Sequence, residues 1–292
     1  MSHVKDSQSF HLPNGTEHGL TVAIPQPAEF APGLPQPADI LSSVGIKNPP
    51  EWLAEPWTLT KFMVLEVVAA VLIVLIFVPL ARRIARGERP VGRLWNLFEA
   101  MLVFIRDEVA RPAIGGKAAD KFLPFLWTIF FFVLFCNLLG MIPCAGSPTG
   151  AIGCTGGLAV MTLVTVIGAG IKKYGAVGFW TGQVPHMDLP LLLAVFIKPM
   201  IFAIEVLGIG IKHFVLSVRL LANMFAGHLV LAVILSFIKA TADHGLIWYG
   251  VMPASVLGAV GLSLLELFVA FLQAYIFAFL SALFIGMAVH QH

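Results

Sequence analysis

Two apolar runs close the chain, Leu189 to Ile238 and Gly245 to Val289, and both are too long for ordinary membrane helices. At ~1.5 Å per residue they reach roughly 75 and 67 Å as helix, more than twice a hydrocarbon core of about 30 Å. Either each run splits into two spans or each lies steeply tilted. Splitting needs a polar turn midway, and only Lys212-His213 in the first run and Pro253 in the second offer weak candidates. A tilted helix is unusual against lipid but natural where it wraps around a partner. Three earlier runs, Phe62 to Leu80, Phe122 to Pro143 and Ala151 to Ile171, each fit one span of about 20 residues.

Only 12% of the residues are charged and the mean hydropathy is +0.90, against about 25% charged in soluble domains. Lipid is the solvent, and in lipid a backbone must satisfy its own hydrogen bonds, which predicts helices. The fold class expected is all-α and polytopic. It comprises about five membrane helices, one amphipathic helix on the inner surface and a C-terminal hairpin built from the two long runs. A net charge of +2 gives no case for nucleic acid.

Residues 1–57 contrast with the rest, carrying prolines at 13, 25, 27, 32, 35, 37, 49, 50 and 56 without sustained apolar periodicity. They read as an extended tail, and 58–292 as the membrane domain. The start lacks the basic and apolar regions of a signal peptide, and the tail is poor in the arginine of a transit peptide. The loop ARRIARGERPVGR puts Arg82, Arg83, Arg86, Arg89 and Arg93 beside the first span, which by the positive-inside rule faces the cytoplasm. Five spans then leave the N-terminus outside and the C-terminus inside, and Lys172 and Lys173 also fall inside. From Arg93 to Asp107 the polar residues Arg93, Asn96, Glu99, Arg106 and Asp107 share one arc. Leu94, Leu97, Phe98, Met101, Leu102 and Ile105 fill the other, as in a helix lying on the inner surface. Cys144 and Cys154 flank a short loop on the outer side, where oxidising conditions favour a disulfide; Cys136, inside a span, is expected as a free packing residue.

Arg219 stands in an almost uncharged stretch, where an arginine costs about 2.5 to 3.5 kcal/mol at the bilayer centre. Its guanidinium stays charged and cannot relay protons as carboxylate or imidazole can. Glu205, Lys212 and Arg219 recur every seven residues with Asn223 one turn on, forming a polar stripe. In the next run Glu266 and Gln273 repeat that spacing. Folded as a hairpin about Lys239 to His244, the runs place Arg219 level with Gln273 and His228 level with Glu266. His228 is about 180° from Arg219 on an ideal helix, so a bend or twist must bring both into register. Lys198 and Lys212 have a bland alternative in snorkelling, and Asn223 and Gln273 in interhelical hydrogen bonding. Glu205, Glu266 and Arg219 point instead to an ion pathway. A membrane hydrolase would need ligands at short spacing, which His186, His213, His228 and His244 lack. A self-contained secondary transporter would show paired repeats with broken helices, and none is apparent.

The strings VLSVRLLANMFAGH (Val215 to His228), LLELFVAFLQAYIFAFL (Leu264 to Leu280) and NLLGMIP (Asn137 to Pro143) closely resemble the signatures of subunit a of F-type ATP synthase. The resemblance runs from about Pro56 to the C-terminus. The family's arginine falls on Arg219, its asparagine on Asn223, its glutamine on Gln273, and its upstream acidic and basic positions on Glu205 and Lys212. Many bacterial relatives carry Glu at the position of His228 and His at that of Glu266, so the pair is reversed here, which suggests contact between them.

The resemblance implies a multi-pass protein of the bacterial plasma (inner) membrane, a proton-translocating stator subunit with no ATP-hydrolysing site and no cofactor. The long runs would be the tilted hairpin against a rotating c-ring of subunit c. The surface helix would lie near the peripheral stalk of subunit b, with the catalytic head coupled indirectly. Protons would cross by two half-channels, with Glu266, His228 and Glu205 as relays and Arg219 separating the two.

Overall fold

The computed structural model describes residues 9–12, 20–24, 26, 60–87, 92–142, 147–183, 191–242 and 245–290. Helix dominates, and the five expected spans are present as five helices long and apolar enough to cross a membrane. In the N-terminal tail, β1 (Ser9–Leu12) pairs antiparallel with β2 (Leu20–Ala23), Phe10 opposite Val22. Four residues per strand are too few for a periodicity reading of the tail to register. The first span is α1 (Lys61–Ala85). Next come α2 (Arg93–Phe104), a π-helical turn (Ile105–Ala110) and the short α3 (Arg111–Ile114). They lead into α4 (Gly116–Gly140), a 3-10 turn (Pro148–Gly150) and α5 (Ile152–Thr181). The long runs are α6 (Leu191–Ala240) and α7 (Gly245–Val289), each one continuous helix. Neither weak turn candidate splits its run, because Pro253 and Lys212-His213 remain inside helix.

Between lipid and a helix bundle there is no hydrophobic gain comparable to that in water, so close packing and polar contacts must hold the helices together. The sequence answers with a stripe on α7 of Ala270, Ala274, Ala278 and Ala282, every one fully buried, continued at the next four-residue step by Gly286. Small side chains at that spacing let α7 seat against α4 and the end of the π turn. At Gly286 the approach is closest: a Cβ built there would lie 2.0 Å from the carbonyl oxygen of Ala113. Gly286→Ala is therefore expected to force α7 off α3 and to cost about 1–3 kcal/mol. Thermal unfolding in detergent micelles checks this, and an unchanged midpoint would show that the seat is looser than the geometry requires.

Aromatic rings lock α1 and α2 onto α4. Phe131 lies 4.3 Å from Phe77 and 6.2 Å from Phe98 between ring centroids, and Trp127 Nε1 donates to the Leu102 carbonyl at 3.0 Å. The helix expected on the inner surface keeps the phase of its wheel as far as Phe104. From Ile105 the chain is π-helical, each hydrogen bond spanning one more residue, so the phase set by Arg93 to Phe104 is reset. Ile105, Val109 and Ala110 turn into the core, while Leu94 and Leu97 stay exposed. Arg106 and Asp107 pair at this corner through two 3.0 Å hydrogen bonds, and Arg111 adds a third at 2.7 Å. The bond from Arg106 holds the Asp107 carboxyl below its ordinary value.

Near its C-terminal end α5 reverses at Gly175, whose φ of +77° is open to glycine and rare for other residues. The fold-back presses Phe179 onto Gly170, where an added Cβ would fall 2.3 Å from the ring. The end of α7 is tied down by Lys173 and Tyr174, which donate to the Val289 carbonyl at 2.5 and 2.9 Å. His290 Nε2 donates to the Ile114 carbonyl at 2.7 Å.

For the expected bridge between Cys144 and Cys154, Cys144 lies outside the described residues. Cys154 lies on the first turn of α5, where it packs against the core. Cys136 is free and buried.

Candidate functional site

Helix α6 carries most of the polar groups, and its neighbours sort them by depth. Leu216, Leu220 and Met224 are buried against the bundle, whereas Phe214, Val215, Phe225 and Leu229 are open on the other side. Arg219 lies at the margin between these faces, half-buried, and its guanidinium has no ion-pair partner among the described residues. Lys212 and Asn223, on the same stripe, are exposed.

Gln273 is buried on α7, and its Nε2 donates to the backbone carbonyl of Arg219 at 3.0 Å. The level expected for this pair holds, but the contact is to the main chain rather than to the guanidinium. That removes the difficulty of the 180° between Arg219 and His228. The arginine side chain need not face α7 for the two helices to meet at both levels.

At the second level His228 Nδ1 lies 3.1 Å from Glu266 Oε1, both largely buried at 17% and 9% side-chain exposure. The oxygen is within ion-pair distance yet lacks hydrogen-bond alignment. Gly227 makes the approach possible, because a Cβ there would fall 2.7 Å from the same oxygen. A carboxylate and an imidazole in contact, screened from solvent, can pass a proton between them.

Glu205 and Lys212 lie on the opposite side of Arg219 along α6. With Gln183, Phe179, His213 and Phe284 they line a cleft of about 100 Å3 at the C-terminal ends of α5 and α7. Glu205 is about 21 Å from Arg219 along the helix axis, and His228 is about 14 Å away in the other direction. The structure thus separates the sequence-predicted residues into two groups with the arginine between them. His186 and His244 lie outside the described residues.

A buried polar network flanks the α7 segment between Glu266 and Gln273. Asn137 Nδ2 donates to the Ala270 carbonyl at 3.3 Å, Thr149 donates to Asn137 Oδ1 at 2.8 Å, and the Ser147 and Thr149 hydroxyls pair at 2.8 Å. Ser217, two residues before Arg219, donates to Thr155 at 3.2 Å. Sequence reasoning did not single out these hydroxyls. Their one available signal was small polar residues within apolar context, which is shared by many side chains that merely bond their own helix, as Thr128 and Thr165 do here.

Comparison with known proteins bears on the whole membrane domain. The family described as ATP synthase A chain matches residues 63–286. The chain is 39% identical to ATP synthase subunit a of Chloroherpeton thalassium over 80% of this chain and 67% of that protein. To ATP synthase subunit a of Myxococcus xanthus it is also 39% identical, over 80% of this chain and 75% of the relative. To ATP synthase subunit a 2 of Chlorobium luteolum the identity is 42%, over 79% and 65%.

Proposed function

The chain belongs to the ATP synthase A chain family, and from that premise we propose that it is the proton-translocating stator component of an F-type ATP synthase, with Arg219 dividing two half-channels. It is a multi-pass membrane protein that works in a complex with other ATP synthase subunits. A self-contained transporter is not favoured by this membership. The observation that carries the mechanism is the division of ionisable groups along α6. Glu266 and His228 touch on one side of Arg219, and Glu205 and Lys212 line a cleft on the other.

Protons enter from outside by the Glu266–His228 pair, protonate a carboxylate on the rotating ring of subunit c, and leave to the inside past Glu205 after the ring has turned. The open apolar face of α6 beside Arg219 meets the ring, and the corner near α2 meets the peripheral stalk of subunit b. Arg219 favours the ionised ring carboxylate as it passes. Because the guanidinium does not release its proton, it also prevents a direct leak between the channels. Each charge that crosses delivers about 2.3 kcal/mol per 100 mV. The arginine loop Arg82 to Arg93 sets the N-terminal tail outside and the C-terminus in the cytoplasm of a bacterial inner membrane. Residues 58–292 form the membrane domain.

Glu266→Gln and Glu205→Gln each test the division. Either change is expected to lower proton conduction through reconstituted membrane sectors by about 100-fold, since an amide cannot relay a proton. Glu108→Gln, an exposed carboxylate away from both groups, serves as the control and retains conduction. Full conduction in Glu266→Gln and Glu205→Gln would contradict the reading.

A further inference from the structure

His213 is the most deeply buried ionisable side chain lining the inner cleft, at 3% exposure, and the pathway above gives it no task. Its Nδ1 lies 2.8 Å from the carbonyl oxygen of Ile209, one turn earlier. A carbonyl only accepts, so Nδ1 carries the hydrogen and the neutral ring keeps its lone pair on Nε2. That Nε2 is buried and has no hydrogen-bond partner among the described residues. The ring is held by Phe284, 5.0 Å away between centroids. A side chain needed only for packing there could be Phe or Met and would leave no orphaned acceptor, whereas buried polar atoms are as a rule satisfied.

Position adds to this. His213 is six residues before Arg219, about 9 Å along the axis, and is set deeper than either charged neighbour in the cleft. Glu205 and Lys212, both on α6, are the other titratable groups lining that space. The remaining lining side chains from α5 and α7, including Val166, Phe179 and Met287, carry none.

We propose that His213 is a proton-carrying residue of the inner half-channel, binding the departing proton at Nε2 and releasing it from the same atom. The proton that has left the ring carboxylate adds to the lone pair, giving the imidazolium. It then passes to the Glu205 carboxylate or to water of the inner medium, and the neutral ring returns with Nδ1–H still on Ile209. One proton is bound and one released, with no other reactant. The assignment rests on reading the cleft as the inner half-channel.

The test is ATP-driven proton pumping by the whole complex in inverted vesicles, where the inner cleft faces the added buffer. His213→Ala is expected to slow pumping about tenfold, with imidazole in the medium restoring the rate. Pyrazole, a filler of equal size that stays unprotonated at neutral pH, is expected not to restore it. His213→Asn keeps a polar group that can bond Ile209 but cannot carry a proton, and is expected to be slowed equally. Wild-type pumping by His213→Asn, equal rescue by pyrazole, or loss of assembled complex in both variants would each overturn the proposal. Glu205→Gln, measured in parallel, distinguishes the two levels. If it alone stops pumping, the half-channel stands and His213 is not part of it; if neither Glu205→Gln nor His213→Asn is impaired, the cleft is not the inner half-channel.

Discussion

Arg219→Ala is expected to bring ATP synthesis and ATP-driven pumping down by about 100-fold or more, while passive proton conduction through the membrane sector is kept or rises. The two effects part because the residue is proposed to have two tasks, its charge stabilising the ionised ring carboxylate and its fixed proton barring a direct path between the Glu266–His228 pair and the Glu205 cleft. Arg219→Lys should fail as well. A desolvated ammonium can lose its proton, and a compact charge does not spread across the margin of α6 as a guanidinium does. If the arginine only held helices together, assembled complex would fall in step with activity. Its backbone carbonyl already takes the bond from Gln273, however, and that bond survives any side-chain change. Assembly measured beside pumping separates the two accounts, and a fully assembled Arg219→Ala complex synthesising ATP at near wild-type rates would overturn the mechanism.

The second large effect is expected at the His228–Glu266 contact. His228→Glu alone sets two carboxylates about 3 Å apart in a largely buried site, where only one can ionise readily. Glu266→His alone sets two imidazoles together. Each single change should slow pumping by about 100-fold, and the double variant, which restores one carboxylate facing one imidazole, should recover much of the rate. Gly227 is kept in all three, since any Cβ there crowds the position-266 side chain. Losses that simply add would mean that the two residues act independently, despite the 3.1 Å between them.

Much of this was legible because lipid allows so few choices. An apolar run must be helix, and a charge such as Arg219 within it stands out against its neighbours. The matching levels of α6 and α7 followed from the turn at Lys239 to His244 alone. Geometry between helices was less accessible. A wheel drawn for one helix cannot say where a second crosses it, so Gln273 was paired with the arginine rather than with its carbonyl. The alanine stripe Ala270 to Ala282 is plain in the sequence, yet alanine is common in helices and only the fully buried contacts give the spacing meaning. The π turn at Ile105 and the reversal at Gly175 depend on local backbone choices that apolar periodicity does not report. His213 sat beside Lys212 as a candidate turn, and its burial comes from Phe284, a residue far along the chain.

The central claim is that the two polar groups open to opposite sides of the membrane. With the native cysteines replaced by serine, Glu266→Cys and Glu205→Cys can be exposed to a small membrane-impermeant thiosulfonate in right-side-out and in inverted vesicles, with labelling read by mass spectrometry. The account predicts that position 266 is labelled only from the outer face and position 205 only from the inner face. Labelling of both from the same face would contradict it.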